Sequence, residues 1–174
     1  EKFMKTSHSK LFFVSALVII LAATSHSLAA KVDLKLVEPE SFRDVQINDQ
    51  SKKRSIKQVN KQMQQLFDRL ADQHLADQQQ LSIQITDIDL AGNMEYMVGP
   101  QQRNLRIIKN HAPYKLAFTF QTKNKKGELI KQGEMKIKNF TDISSFKHKQ
   151  SQNHVVDHFE KDLKKWFKTE LASN

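Results

Sequence analysis

The stretch from Tyr114 to Gln121 constrains the fold more than any other part of the chain. Tyr114, Leu116, Phe118 and Phe120 alternate with Lys115, Ala117, Thr119 and Gln121. Period two places four large apolar side chains on one face of a strand, and that face has to be covered. A second segment from Glu128 to Lys138 carries Leu129, Met135 and Ile137, and Asn124-Lys125-Lys126-Gly127 stands between the two. Asparagine suits the first position of the turn and glycine supplies the positive φ of a bulged hairpin. An antiparallel hairpin with one apolar side is therefore expected.

Two segments of helical period can cover it. Ser51 is placed to cap a helix running to about Leu75, in which Ile56, Val59, Met63, Leu66, Phe67 and Leu70 recur at steps of three and four. From about Asn153 to Leu171 a second helix presents Val155, Phe159, Leu163, Trp166, Phe167 and Leu171. Val32, Leu34 and Leu36 mark a short strand that Glu38-Pro39-Glu40 ends, because proline has no backbone donor. Leu81, Ile83 and Ile85 mark another, but here the alternation contradicts itself. Strict period two would put Asp87 and Asp89 on the apolar face and turn Ile88 and Leu90 away, so a bulge near Thr86 is predicted. The stretch Met94 to Arg103 has no period and contains Gly99-Pro100, which reads as loop, and Leu105 to Lys109 reads as a short strand. The expected fold class is α+β: a mainly antiparallel sheet with a long N-terminal helix and a C-terminal helix packed on one face.

The chain of 174 residues has a formal net charge of +9 and no cysteine. Lys5 and Lys10 precede an uncharged apolar run from Leu11 to Ala23, and Ser27-Leu28-Ala29-Ala30 supplies small residues for cleavage. These are the parts of a secretory signal peptide, assigned to residues 1–29, with Glu1-Lys2-Phe3 ahead of Met4 read as an over-extended gene start. The apolar run is shorter than the roughly 20 residues that span a bilayer, so no transmembrane anchor is expected after cleavage. No cysteine follows it to carry a lipid. The product is expected to be periplasmic, a single domain over residues 30–174. Cleavage removes Lys2, Lys5, Lys10 and Glu1, leaving 25 basic and 18 acidic residues, so the basicity belongs to the folded part.

Three segments carry a family resemblance. The run from Val32 through Val37-Glu38-Pro39-Glu40-Ser41-Phe42-Arg43-Asp44, the segment Thr86-Asp87-Ile88-Asp89-Leu90-Ala91-Gly92, and the hairpin with Gly127 and Gly133-Glu134 resemble the bacterial exported proteins of domain-of-unknown-function family 3016. The resemblance covers nearly all of the mature chain, and Asp-Ile-Asp-Leu-Ala-Gly is its most specific part. It implies a small periplasmic protein of Gram-negative bacteria with no assigned activity, and it carries over no catalytic residue. Where the family pattern has an acidic residue soon after the second hairpin strand, this chain has Asn139, which weakens a charge-based role there.

Three groups of residues are candidates for chemistry. His154 and His158 stand at i and i+4, a spacing that lets one helix face hold a metal with two ligands. With Asp157 they superficially resemble the HxxEH metalloprotease pattern, but aspartate is shorter than glutamate and no third ligand is nominated; the structural reading is two solvated histidines beside the apolar stripe. Asp87 and Asp89, two apart on a strand, point the same way about 7 Å apart and could bind a hard cation or share a proton. Their structural reading is a turn cap or a pair with nearby lysine or arginine. The third group is basic: Lys52, Lys53 and Arg54 with Lys57 and Lys61 on the first helix; Lys123, Lys125 and Lys126 at the hairpin; Lys161, Lys164, Lys165 and Lys168 on the last helix. If they shared one side they would attract an anionic partner.

There is no glycine-rich phosphate loop, no Gly-x-Ser-x-Gly elbow and no cysteine nucleophile. The sequence nominates no catalytic residue and no cofactor. Lysine outnumbers arginine 20 to 5 in the mature chain, no aromatic is interleaved with the lysines as a stacking platform, and export separates the chain from genomic DNA, so nucleic acid is not an expected partner. The expectation is a non-enzymatic binding or accessory protein of the cell envelope. It would present a basic surface or a sheet edge to an anionic envelope component or another periplasmic protein. The alternative is a metal-dependent hydrolase or metal-binding protein using Asp87 and Asp89 or His154 and His158.

Overall fold

A computed structural model describes residues 31–77, 79–142 and 155–171. The proposed signal segment and His154 lie outside the described residues. The chain runs β1 (Lys31–Leu36), α1 (Lys52–His74), β2 (Gln80–Asp89), β3 (Asn93–Val98), β4 (Arg103–Ile107), β5 (Pro113–Lys123), β6 (Leu129–Phe140) and α2 (Glu160–Trp166). The main sheet has the order β1-β2-β5-β6, and β3 and β4 form a separate two-stranded sheet. This is a mixed α+β fold with mostly antiparallel strands.

The long helix is not the N-terminal element. β1 precedes α1 and pairs with β2 in parallel, Val32 opposite Leu81 and Leu34 opposite Ile83. Parallel neighbours cannot be joined by a tight turn, and the 23-residue α1 is the crossover that joins them. Ser51 caps it, its Oγ accepting the Arg54 N–H. The stripe at helical spacing is the buried one: Val59, Met63, Leu66, Phe67 and Leu70 all have at most 3% exposure. Both helices lie on the same face of the sheet, because the Phe67 ring of α1 and the Trp166 ring of α2 each meet Phe118 of β5 edge to face, at 5.6 and 5.0 Å. Phe67 and Trp166 also meet each other.

The bulge is at Thr86. Ile85 pairs with Phe118 and Asp87 with Ala117, so Thr86 has no partner across the ladder. The extra residue shifts the phase, keeping Ile88 and Leu90 buried with Ile83 and Ile85. The β5–β6 hairpin is bulged as well, with Gly127 at φ 81° and the Asn124 Oδ1 accepting from the Lys126 and Glu128 N–H groups. Leu129 departs from the expected apolar face and stands exposed, whereas Ile137 is buried and Met135 packs against the core.

Two further differences have physical causes. The aperiodic stretch after Asn93 is a strand, not a loop: β3 pairs with β4, Asn93 opposite Ile107 and Glu95 opposite Leu105. The residues of β3 are exposed or half-buried, and with no buried face nothing imposes alternation. The last helix begins later than the stripe suggested. Asp157–Phe159 form a 3-10 turn, α2 follows, and Phe167–Leu171 continue as a π-helical turn. Its predicted apolar residues, Val155 to Leu171, are nonetheless all buried. Among the described residues no helix is long and apolar enough to cross a membrane.

Phe67 joins both helices to the sheet, so truncating it should remove more than one contact. Phe67→Ala is expected to cost about 3–5 kcal/mol, the range for emptying a buried aromatic site, measured by urea unfolding at neutral pH. A loss under about 1 kcal/mol would show that the helices are not packed through this ring.

Candidate functional site

The bulge decides where the paired aspartates go. Past Thr86, the side chains of Asp87 and Asp89 fall on the sheet face opposite the helices, where both are half-buried. Across this outer face Asp89 lies opposite Lys115, which lies opposite Lys138. Asp87 lies opposite Ala117, which lies opposite Lys136. The Lys115 Nζ stands 3.8 Å from an Asp89 carboxylate oxygen. Partial burial pushes the Asp89 carboxyl above its usual range, Lys115 opposing the shift and Asp44 adding to it. Further along, Ser82, Gln84, Thr119, Gln121, Gln132 and Glu134 line a shallow depression of about 440 Å³.

Behind Asp89 lies a buried charge that the sequence did not disclose. The Arg106 side chain in β4 is 2% exposed. Its Nη1 donates to the carbonyl oxygens of Leu90, Ala91 and Gly92, its Nε to the Gln46 carbonyl at 2.9 Å, and its Nη2 to the Asp44 carboxylate. Its backbone N–H donates to Asn48 Oδ1 at 2.9 Å, and the neighbouring Asn104 N–H to Asp49 Oδ1 at 2.7 Å. Asp44 also bridges in parallel to Asp89. The Leu90-Ala91-Gly92 turn is thus wrapped around one guanidinium. Gly92, at φ 84°, has no room for a Cβ, which would collide with the Ile107 carbonyl. The only sequence signal for this was an arginine between two apolar residues of a short strand, a pattern that does not distinguish a solvated from a buried charge.

Of the two histidines, His154 lies outside the described residues and His158 is not at the surface. His158 is buried against the rings of Phe159 at 4.1 Å and Tyr114 at 4.7 Å, which corrects the expectation of a solvated side chain. Burial, with Arg106 adding, lowers its pKa to about 3, so the imidazole is neutral at physiological pH. Among the described residues its Nε2 has no hydrogen-bond partner, and no group of three His, Cys, Asp or Glu is placed to hold a metal ion. Nearby, Tyr114 Oη and Asn139 Nδ2 both donate to the Asp162 carboxylate. The departure at Asn139 therefore has a use: an acidic residue there would face Asp162 with a like charge.

The three basic groups do not merge into one patch. Lys52, Lys53 and Arg54 open α1 beside the Asp89 end of the sheet, because α1 runs antiparallel to β1 and β2. The turn bearing Lys125 and Lys126 is at the other end, where Lys123 pairs with Gln80. The 10 residues of β2 separate the two groups by about 30 Å at ~3.3 Å per residue. Lys161, Lys164 and Lys165 lie on α2, in the same helix layer as α1. Lys164 is bound to Glu160, which also takes the Arg69 fork; these partners lower the pKa of Glu160 to about 2, Arg69 first.

The family model described as a protein of unknown function, DUF3016, matches residues 30–169. The chain belongs to this family. The match takes in every element from β1 to α2, including the Asp-Ile-Asp-Leu-Ala-Gly turn around Arg106. Comparison with curated proteins gives no match.

Removing the guanidinium would leave buried carbonyls and Asp44 without their donor. Arg106→Met is expected to cost about 3–5 kcal/mol, with hydrogen exchange rising first at residues 90–92. Equal protection in the variant would rule out the wrapping role.

His158 sets a stability slope with pH. Its folded pKa is depressed from 6.5 to about 3, so the unfolded chain binds the proton that the folded chain refuses. The stability is fully present above 6.5 and falls as pH drops toward 3, at up to about 1.4 kcal/mol per pH unit. His74, also lowered by burial, adds the same sign, whereas Glu160 acts only below its ordinary value of 4.5. Urea unfolding at about pH 7 and about pH 5 should therefore show the native chain losing about 1–2 kcal/mol more than His158→Phe. Equal losses would mean that this imidazole is protonated in the fold.

Proposed function

We propose that the domain is a non-enzymatic binding or accessory protein of the cell envelope, exported to the periplasm, whose helix layer is presented to an anionic envelope component. One observation carries the reading. The first turn of α1 has no acidic residue and holds Lys52, Lys53 and Arg54, all exposed, against the positive end of the helix dipole. Cations there cost a few tenths of a kcal/mol each, and stability alone would place carboxylates. Lys57 and Lys61 extend the same exposed side of α1; toward the far end of that helix, where Glu160 meets Arg69, Lys161 and Lys165 on α2 and Lys168 in the turn after it are exposed in the same layer. The outer sheet face offers no such field, since Asp33, Asp87, Asp89 and Glu134 are interleaved there with Lys35, Lys115, Lys136 and Lys138.

A charge held at a cost to the fold predicts opposite effects on stability and binding. The double variant Lys53→Glu, Arg54→Glu is expected to unfold about 1 kcal/mol later. It should bind anionic phospholipid or lipopolysaccharide vesicles on the order of 30-fold more weakly. Added salt should weaken binding of the native chain in the same assay, and zwitterionic vesicles should not bind. Absent binding, or binding indifferent to salt, would refute the electrostatic reading; a stoichiometric metal lost on changing Asp87 and Asp89 would favour the alternative.

A further inference from the structure

β6 is an edge strand of 12 residues, and among the described residues nothing pairs with its far side. Free edges of this length are a template for another strand. Its ends carry exposed apolar side chains, Ile130 at 52% and Phe140 at 60%, and Ile130 lies at the bulge without a partner on β5. Between them the sequence is Lys131-Gln132-Gly133-Glu134-Met135-Lys136-Ile137-Lys138-Asn139.

We propose that β6 pairs antiparallel with β6 of a second copy of this chain about a two-fold axis at Met135, making one continuous eight-stranded sheet. Charge selects this register. With the axis at Met135, Glu134 of each chain lies opposite Lys136 of the other, Gln132 opposite Lys138, and Ile130 opposite Phe140. Each of these pairs occurs twice, as an isologous interface requires. An axis at Glu134 would oppose two identical carboxylates, one at Lys136 two ammonium groups, and one at Ile137 two Lys136–Lys138 pairs. An axis at Gly133 would avoid like charges but set Ile130 against Lys136 and leave Phe140 without a counterpart. Like charges directly opposite destabilise a ladder and opposite charges support it. Lys131 is already held by Glu170 in the turn that follows α2, its Nζ 2.8 Å from the carboxylate, and so takes little part. The ladder closes at Phe140, whose N–H donates to its own Asn139 Oδ1. The lysines that would repel an arbitrary strand thus admit this partner in one register.

Glu134 and Lys136 are both exposed, so reversing either should leave the fold intact, checked by circular dichroism. Sedimentation velocity of the mature chain over a concentration series should show a monomer–dimer equilibrium. Glu134→Lys and Lys136→Glu should each weaken the dimer by about tenfold or more. An equimolar mixture of the two variants should restore it, because every 134–136 pair is then opposite in sign. The chain has no cysteine, so oxidised Met135→Cys can form only an intermolecular disulfide and should crosslink. Gln132→Cys, about 20 Å from its copy in this register, should not. A monomer at all concentrations, a dimer indifferent to both reversals, or crosslinking at 132 in place of 135 would overturn the proposal.

Discussion

Arg106 is a full positive charge taken out of water, and much of the structure is the set of groups that makes this tolerable. An unpaired ion in a protein interior costs several kcal/mol, so it persists only where acceptors surround it. Here the acceptors come from two separate stretches: the Asp44 carboxylate and the Gln46 carbonyl before α1, and the carbonyls of Leu90, Ala91 and Gly92 after β2. Each stretch is fixed in direction by that demand. The segment before α1 is drawn against the end of β2, the turn out of β2 is closed, and the β3–β4 hairpin is seated by the strand that carries the arginine. Asn48 and Asp49 complete the seat by accepting from the backbone of β4.

The bulge at Thr86 makes this arrangement compatible with the core. Without the extra residue, Ile88 and Leu90 would face solvent and two aspartates would face Phe118 and Leu116. With it, the same strand serves a helix-covered apolar face and an open polar one. The turn arrives with its carbonyls toward Arg106. The Asp-Ile-Asp-Leu-Ala-Gly segment is thus a structural joint first, and Asp89 is held near Asp44 and Lys115 as a consequence of it.

The surfaces divide by chemistry. The helix layer carries an excess of exposed lysine, some of it placed against the dipole of α1. The outer sheet face balances acid with base, and β6 leaves a long edge whose charges are complementary only about one point. A continuous sheet through that edge would leave both helix layers on one side, and would double the basic surface without altering it.

Much of this was legible in the sequence. The hairpin, the capped helix with its stripe, the bulge and the buried residues of the last helix all follow from periodicity, which reports only whether a face must be buried. β3 gave no signal because neither of its faces is buried, and the position of α1 as a parallel crossover was invisible because pairing partners lie far apart in the chain. His158 read as a solvated side chain or a metal ligand because its period matched the edge of the stripe, and Arg106 carried no reading of its own within the short strand Leu105 to Lys109. Both are ionisable groups whose surroundings come from distant segments, and local pattern carries no information about those. The sequence by itself therefore determined the elements that have a face to bury, and which side that is. Only the tertiary structure decided where the charges go, because the free energy of a charge depends on everything packed around it, and that is assembled from the whole chain.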